Sequence, residues 1–202
     1  VDEQRNIWGK RSSIDLEEPD LALHLHLNRG EATLSIDGTG GSLHRRGYRA
    51  AMGAAPLKEN LAAGLIRLSG WDGRVPLVDP CCGSGILLIE AVSMAIQQAP
   101  GLNRSFALEG WADFAPELWE RECQRARQGR RTAPELPPVI GFEQDPHIAD
   151  QARANIDAAG LNGLITIHTG SFKQQVLPAS PGVLVCNPPY GQRLGADDDL
   201  EE

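Results

Sequence analysis

Short apolar runs alternate along this chain with longer segments of helical periodicity. Residues 86–98 and 146–159 repeat their apolar positions at helical spacing, and each follows a short apolar run. A strand–helix–strand order favours parallel strands, because the helix returns the chain to the same end of the sheet. The pattern therefore predicts an α/β fold with a doubly wound, Rossmann-like sheet of about four parallel strands. The runs of strand length are residues 75–79, 139–143, 164–168 and 183–187.

The first part of the chain has a different pattern. Residues 1–18 are polar without a clear period and are predicted to form a loop. Residues 21–27 alternate strictly, and residues 32–36 do so again after a turn, which predicts a half-buried β-hairpin. His24 and His26 share one face of this hairpin. A solvated face explains them as well as a metal pair does, so we expect no metal.

We divide the chain where the pattern changes. Residues 1–42 are assigned to an N-terminal linker and hairpin, and residues 43–202 to the α/β domain, with an insertion at about residues 101–138. Within the insertion, residues 116–128 predict a solvated helix whose arginines are offset by glutamates. Another helix is predicted at residues 56–69, with one apolar stripe formed by Leu57, Leu61, Leu65 and Leu68.

Composition narrows the class of protein. Of 202 residues 41% are hydrophobic, and no apolar run approaches the ~18 residues that span a bilayer, so no membrane partner is expected. Four cysteines without C-x-x-C spacing are typical of reduced thiols in a cytoplasmic protein. The net charge of −8 disfavours a broad nucleic-acid surface on this piece. Because the chain begins with Val1 and ends in an acidic run, we expect a fragment of a longer protein.

The segment between the run at residues 75–79 and the following helix has the chemistry of a ligand site. Residues 83–85 form a Gly-Ser-Gly turn at which backbone N–H groups can face a ligand. Asp79 ends the run and can bind a cationic or hydroxyl group of that ligand. A dinucleotide site needs a third small residue where Leu88 stands, and an acid ~20 residues onward, so an NAD site is disfavoured.

Glu143 ends the second strand of the repeating pattern, which lies beside the first in a doubly wound sheet. A carboxylate at that place can bind both hydroxyls of a ribose. The alternative is an acid that faces solvent. The strand-end position favours the ligand role.

Asn187-Pro188-Pro189-Tyr190 follows the last apolar run. A planar amino group on a base is a poor nucleophile, because its lone pair is delocalised into the ring. The Asn187 side-chain oxygen and the Pro188 carbonyl could accept its two hydrogens and favour a reactive geometry, while Tyr190 offers a face for stacking the base. The alternative is a proline-rich turn after a strand.

A basic segment with an aromatic residue occupies positions 43–49. Arginines beside a tyrosine suit phosphate contact and base stacking. A charged surface loop explains the same residues equally well. The residues concerned are Arg45, Arg46, Tyr48 and Arg49.

These motifs together carry a family resemblance. Residues 79–85 (Asp-Pro-Cys-Cys-Gly-Ser-Gly) and the Asn-Pro-Pro-Tyr motif resemble the S-adenosyl-L-methionine-dependent amino methyltransferases. The wider set is similar to the THUMP-associated bacterial enzymes that methylate guanine N2 in large-subunit (23S) ribosomal RNA. The wider set comprises residues 43–49, 55–63 and 191–194, and the resemblance extends over about residues 30–195.

The resemblance implies a class I methyltransferase sheet of seven strands, of which this chain supplies about four. It also implies S-adenosyl-L-methionine as cofactor, large-subunit rRNA as partner, a THUMP domain before this piece and, in many members, a further domain after it. The family mechanism needs no metal. Two alternatives stay open: an N6-adenine amino methylase acting on DNA or RNA, and a non-catalytic cofactor- or RNA-binding fragment.

Residue roles follow from the resemblance position by position. Glu143 takes the ribose role, where the family usually has Asp, and Ser171 stands where an adenine-binding Asp is usual. The expected cofactor-binding residues are Asp79, Pro80, Cys82, Gly83, Ser84, Gly85, Glu143 and Ser171. The expected catalytic residues are Asn187, Pro188 and Tyr190. The expected substrate-binding residues are Arg45, Arg46, Tyr48, Arg49 and Arg193.

Overall fold

The structure is a computed structural model that describes residues 2–10, 15, 19–49, 57–132, 135–174 and 177–188. Its helices and strands are, in chain order, α1 (Asp2–Trp8), β1 (Ala22–Asn28), β2 (Glu31–Asp37), α2 (Glu59–Ser69), β3 (Leu77–Asp79), α3 (Ile86–Ala95), α4 (Pro116–Gly129), β4 (Val139–Glu143), α5 (Pro146–Ala158), β5 (Thr166–Thr169) and β6 (Val183–Leu184). Short 3₁₀ turns occur at Ala107–Gly110 and Phe172–Gln174.

The chain divides into two units. One contains Val1–Ser42 and Ser105–Trp119, and the other contains Leu43–Arg104 and Glu120–Glu202. Part of the segment that we assigned to an insertion in the α/β domain therefore groups with the hairpin. The assignment of residues 43–202 to one functional domain stays a prediction.

Helix α1 corrects the prediction of a loop over residues 1–18. The segment from Asp2 to Trp8 contains neither proline nor glycine, and at two turns it is too short for periodicity to reveal a helix. Gly9 ends the helix in the left-handed region with φ 69°, and its N–H donates to the Arg5 carbonyl at 3.0 Å.

The predicted hairpin is present, but its apolar face is exposed in the described structure. Strands β1 and β2 pair antiparallel, with Leu25 opposite Leu34 and Asn28 opposite Glu31. Both turn residues have positive φ, as a two-residue hairpin turn requires. The prediction of half-buried strands is wrong here, since Leu25 is 63% and Leu34 65% exposed. The alternation predicted the two strands correctly, but it did not show whether another element packs on their apolar face.

The sheet of the second unit contains four parallel strands in the order β5-β4-β3-β6. Val78 lies opposite Ile140 on one side and Leu184 on the other, and Gly141 lies opposite Ile167. The predicted α/β fold class with about four parallel strands and an N-terminal hairpin is confirmed. Strand β6 is shorter than predicted and forms one edge of the described sheet. Beyond its last residue the Val185 N–H still donates to the Val78 carbonyl at 3.0 Å.

Helices α3 and α5 form much of the core. Residues 86–92 of α3 are all buried, because this helix is apolar on every side apart from Glu90. Helix α5 begins as predicted, with the Asp145 side chain accepting from the His147 N–H at 2.8 Å and with Pro146 at its first position. Gly160 follows the helix with φ 67°.

The predicted apolar stripe of α2 is partly wrong. Leu61 and Leu68 are exposed, whereas Glu59, Ala62 and Ile66 are buried. The buried face includes a carboxylate because that carboxylate has a cationic partner, which a search for apolar residues alone misses. Helix α4 has no buried residue, in agreement with the predicted solvated helix. None of the helices in the described ranges combines the length and the apolar character that crossing a membrane requires.

Candidate functional site

Asp79 ends β3 as a buried carboxyl group, 1% exposed. Its Oδ1 accepts a hydrogen bond from the Cys81 N–H at 3.1 Å. Burial raises the pKa of Asp79 to about 7; the Cys81 N–H opposes this rise and the charge of Glu143 adds to it. A buried carboxyl group with a raised pKa at the end of an otherwise apolar strand is a candidate ligand-binding group.

The turn after β3 has the backbone geometry that its glycines allow. Gly83 and Gly85 have φ of 53° and 82°, in the left-handed region. The side-chain amide of the fully buried Asn155 donates to the Ser84 carbonyl at 3.1 Å, so α5 holds the turn in place. A Cβ placed on Gly83 would meet no atom within 4 Å, and the turn therefore borders open space that a ligand could fill.

Glu143 ends β4 and connects this strand to the turn. Its Oε2 accepts from the Gly83 N–H at 3.1 Å, and its Oε1 accepts from the Asp145 N–H at 3.0 Å. Each carboxylate oxygen keeps a further lone pair, so the side chain is held in place while two hydroxyl groups could still donate to it.

Ser171 lies at the same edge of the sheet. It follows β5 by two residues and is half-buried. The intervening Gly170 donates its N–H to the Glu143 carbonyl at 2.8 Å, which fixes the end of β5 beside that of β4. The structure thus brings Asp79, Glu143 and Ser171 to the carboxyl ends of three neighbouring strands. Their individual roles stay predictions.

Asn187 and Pro188 follow β6 on the other side of β3. The chain winds from β3 outward to β4 and β5, and then returns to β6 on the opposite flank of β3. The crevice at such a reversal is where open α/β sheets bind ligands at the carboxyl ends of their strands. Asn187 is half-buried and Pro188 is exposed. Pro189, Tyr190 and Arg193 lie outside the described residues.

Most residues of the basic segment pair with buried carboxylates. Tyr48 is buried and donates its hydroxyl to Glu90 Oε1 at 3.0 Å, and the Arg46 guanidinium lies 3.5 Å from the other oxygen of Glu90. Arg49 Nη2 lies 3.2 Å from Glu59 Oε1. Burial raises the pKa of Glu90, which the neighbouring Arg46 and the hydrogen bond from Tyr48 oppose.

This network corrects the surface-loop interpretation for three of its residues, since Tyr48 is buried and Arg46 and Arg49 are half-buried. Only Arg45 of the four is exposed. A substrate-binding role stays a prediction for all four. The two acidic partners, Glu59 and Glu90, were not predicted from the sequence. One signal was available, because Glu90 is the only charged residue in the apolar helix α3, and such a residue needs a buried partner.

A cavity of about 660 Å³ lies elsewhere, at residues that precede β3 and β4. Its charged lining consists of Asp72, Arg74, Arg131 and Glu135. The cavity is therefore at the amino ends of the strands, away from Asp79 and Glu143. Within the described ranges, no group of three or more His, Cys, Asp and Glu side chains could hold a metal ion.

Comparison with known proteins identifies relatives of the whole chain. The family model UPF0020, described as RMKL-like, methyltransferase domain, matches residues 46–202. The ribosomal RNA large subunit methyltransferase K/L of Pseudomonas paraeruginosa is 43% identical over 213 residues, which cover 99% of this chain and 29% of that protein. The chain spans 52% and 28% of the length of two of the curated relatives that it matches.

Two solved structures agree with the fold. SMU.472, named as a methyltransferase and crystallised with SAH, is 35% identical with a TM-score of 0.81, covering 95% of this chain and 50% of its own. A Listeria monocytogenes protein named as a predicted N6-adenine-specific DNA methylase is 38% identical with a TM-score of 0.80, covering 87% and 46%. The chain therefore belongs to the family of RMKL-like methyltransferase domains and has the class I methyltransferase fold.

Proposed function

We propose that this chain transfers a methyl group from S-adenosyl-L-methionine to the exocyclic N2 of a guanine in large-subunit rRNA. The observation that carries the proposal is the meeting of two motifs at one crevice. The glycine turn after Asp79 and the segment at Asn187 follow adjacent parallel strands, at the point where the winding of the sheet reverses.

The cofactor proposal rests on the groups at this edge. Asp79 offers a carboxyl group to a cationic or hydroxyl group, and Glu143 keeps lone pairs for two ribose hydroxyls. The turn is open at Gly83, where a Cβ would meet nothing within 4 Å. Ser171 would donate or accept at the adenine with a hydroxyl in place of a carboxylate, which predicts a weaker contact. When bound, the cofactor supplies an electrophilic methyl group, which the amino nitrogen takes as the carbon–sulfur bond breaks, with release of S-adenosylhomocysteine and one proton.

The residues after β6 would position the amino group. The Asn187 side-chain oxygen and the Pro188 carbonyl are two acceptors for its two hydrogens, and Tyr190 is proposed to stack on the base. The target base must be single-stranded or flipped out of a helix to reach them. Much of the rate would come from holding the amino nitrogen next to the methyl group, because correct placement replaces a bimolecular encounter.

The choice of guanine over adenine rests on the resemblance of the motif set to the guanine-N2 enzymes, because the name of the K/L relative specifies the rRNA and not the base. Both bases carry a planar amino group, so two acceptors cannot tell them apart. The K/L relative is named as an rRNA large subunit methyltransferase, whereas the Listeria relative is named as an adenine methylase. The basic segment and the Gly-Gln-Arg-Leu run after the Asn-Pro-Pro-Tyr motif favour the rRNA branch.

The test uses labelled S-adenosyl-L-methionine and undermethylated large-subunit rRNA with the full chain. The RNA is digested and its methylated nucleoside is identified by mass spectrometry. We expect N2-methylguanosine, whereas N6-methyladenosine would assign the chain to the adenine methylases. Binding of S-adenosylhomocysteine is measured by calorimetry without RNA. A chain that binds it but forms no methylated nucleoside only binds cofactor, and a chain that gives no binding heat contradicts the cofactor proposal.

A matched pair of variants tests the role of Asn187. Asn187→Ala should abolish methyl transfer and leave cofactor affinity unchanged. Asn162→Ala is the control, because Asn162 is an exposed residue after α5 whose side-chain amide donates to Asp157. Equal loss of transfer and of cofactor binding in Asn187→Ala would contradict the proposed role.

A further inference from the structure

Two thiols face each other across β3 and β6, next to the proposed site. Strands β3 and β6 are parallel, with Val78 opposite Leu184, and the pairing continues through the hydrogen bond from the Val185 N–H to the Val78 carbonyl. Two residues beyond this residue pair come Pro80 and Cys186, just past the ends of the two strands, and Cys81 is the next residue. The Cys81 and Cys186 side chains accordingly lie close enough to influence each other's pKa, and both residues are half-buried.

The neighbouring Cys82 faces the opposite strand. Its N–H donates to the Phe142 carbonyl at 2.9 Å, and its sulfur lies close enough to Gly141 that a Cβ there would be 2.8 Å away. Strand β3 lies between β4 and β6 in the sheet. Adjacent cysteines therefore point to different sides, and only Cys81 can reach Cys186.

We propose that Cys81 and Cys186 form a redox-sensitive dithiol, which a low-molecular-weight disulfide such as oxidised glutathione converts to an intramolecular disulfide. One thiol attacks the small disulfide and releases one glutathione thiol. The second protein thiol then displaces the other glutathione. The two protein thiols thus lose two electrons and two protons, and the small disulfide gains both.

The position of the pair gives the oxidation a consequence, which rests on the proposed function. Cys81 lies two residues before the Gly-Ser-Gly turn, and Cys186 directly precedes Asn187. A disulfide needs its sulfur atoms ~2.05 Å apart, which is well inside the contact distance of two separate thiols. Closing that gap draws the turn towards β6, and the Gly85 N–H moves with it because it donates to the Cys82 carbonyl at 2.9 Å. We expect the oxidised chain to bind S-adenosylhomocysteine at least tenfold more weakly.

The chemistry of the thiols determines how the test is done. Burial raises the pKa of Cys186 to about 12 and also raises the pKa of Cys81, with the charge of Asp79 adding to both. Thiolate is the reacting form, so exchange at neutral pH is slow. Long incubation in glutathione buffers of fixed composition brings the dithiol to equilibrium.

The full chain is equilibrated in these buffers, alkylated and digested with trypsin. The expected product is a cross-link between residues 75–104 and 174–193, two hydrogens lighter than the separate peptides, with fragmentation placing it on Cys81. Cys81→Ser and Cys186→Ser should abolish the cross-link. Cys123→Ser is the matched control, since Cys123 lies on α4, and it should leave the cross-link unchanged.

Binding of S-adenosylhomocysteine is then compared for the oxidised chain before and after reduction with dithiothreitol. A tenfold recovery of affinity supports the consequence. A cross-link without any change in affinity would refute the effect on ligand binding but would still support formation of the disulfide. Absence of the cross-link under the most oxidising buffer overturns the proposal, and it does not touch the proposed function, because the reduced chain would still bind the ligand.

Discussion

Glu90 is the acceptor of a buried network, and its removal should cost measurable stability. Its side chain is 6% exposed, and it accepts from Tyr48 at 3.0 Å and pairs with Arg46 at 3.5 Å. Glu90→Ala would leave the largely buried Arg46 guanidinium without a counter-charge. Breaking such a pair costs about 3–5 kcal/mol of stability. Because the distance to Arg46 is long, we expect the free energy of unfolding to fall by about 3 kcal/mol. Tyr48→Phe removes one donor to a charged acceptor and should cost about 1.5–3 kcal/mol.

Urea unfolding followed by far-UV circular dichroism measures both changes as differences in the free energy of unfolding. The control is Glu122→Ala on the solvated helix α4. Glu122 pairs with Arg125 at 2.8 Å, but the two side chains are 50% and 72% exposed. An exposed pair contributes at most about 1 kcal/mol, so this variant should change the free energy of unfolding much less than Glu90→Ala.

The same variants decide between two roles for the basic segment. If Glu90→Ala and Glu122→Ala lower the free energy of unfolding equally, the network carries no stability and our reasoning fails. Arg46→Gln gives a second criterion. A loss of rRNA affinity in this variant without any loss of stability would show that Arg46 serves the RNA, as the sequence suggested, and would refute its assignment to the buried network.

Three further predictions concern the site and its support. Gly141→Ala should lower the free energy of unfolding by about 1–3 kcal/mol, because its Cβ would lie 2.7 to 2.8 Å from three side chains. The control Gly64→Ala lies within α2, where a Cβ meets nothing within 4 Å, and it should raise the free energy of unfolding by about 0.5–1 kcal/mol. Urea unfolding measures both changes. Because the pKa of Asp79 is raised to about 7, calorimetry should show that S-adenosylhomocysteine affinity falls as pH drops below 7. Urea unfolding of the chain without ligand should show the opposite trend, with stability falling as pH rises from about 4 to 7. Asp79→Asn should remove both dependences on pH. Asn155→Ala should weaken S-adenosylhomocysteine binding about tenfold, or by about 1.4 kcal/mol, through loss of the bond to the turn, and Asn162→Ala should leave the affinity seen by calorimetry unchanged.

The sheet and its helices could be predicted because each element carries its own local signal. The run at residues 139–143 became β4 with the same bounds, and Asp145 with Pro146 marked the start of α5. Parallel order then follows from strand–helix alternation alone, and it brings the strand ends to one edge. For this reason the meeting of Asp79 with Glu143 at one edge of the sheet was predictable from sequence, although the hydrogen bond from Gly83 to Glu143 was not.

Features that depend on distant partners could not be predicted in this way. Glu59 and Glu90 are buried because arginines from the segment before α2 reach them, and no local pattern records that contact. The same reason explains the error in α2, where Leu61 is exposed although it fits an apolar stripe. Asn155 was missed because a buried amide on a helix looks like an ordinary surface residue until its partner is known.

The basic segment has a consequence for the cofactor turn as well as for stability. Tyr48 and Arg46 hold Glu90, which lies four residues after the first residue of α3, and α3 begins directly after Gly85. Asn155 holds the same turn from α5 through the Ser84 carbonyl. Asn155 thus holds the turn directly, and the Glu90 network holds the helix that follows it, while the space in front of Gly83 stays open. A rigid turn beside an open space is what cofactor placement requires, since a shift of about 1 Å in the reacting groups can reduce the rate a hundredfold. Residues that resemble an RNA contact in sequence would then act on methyl transfer by positioning the cofactor.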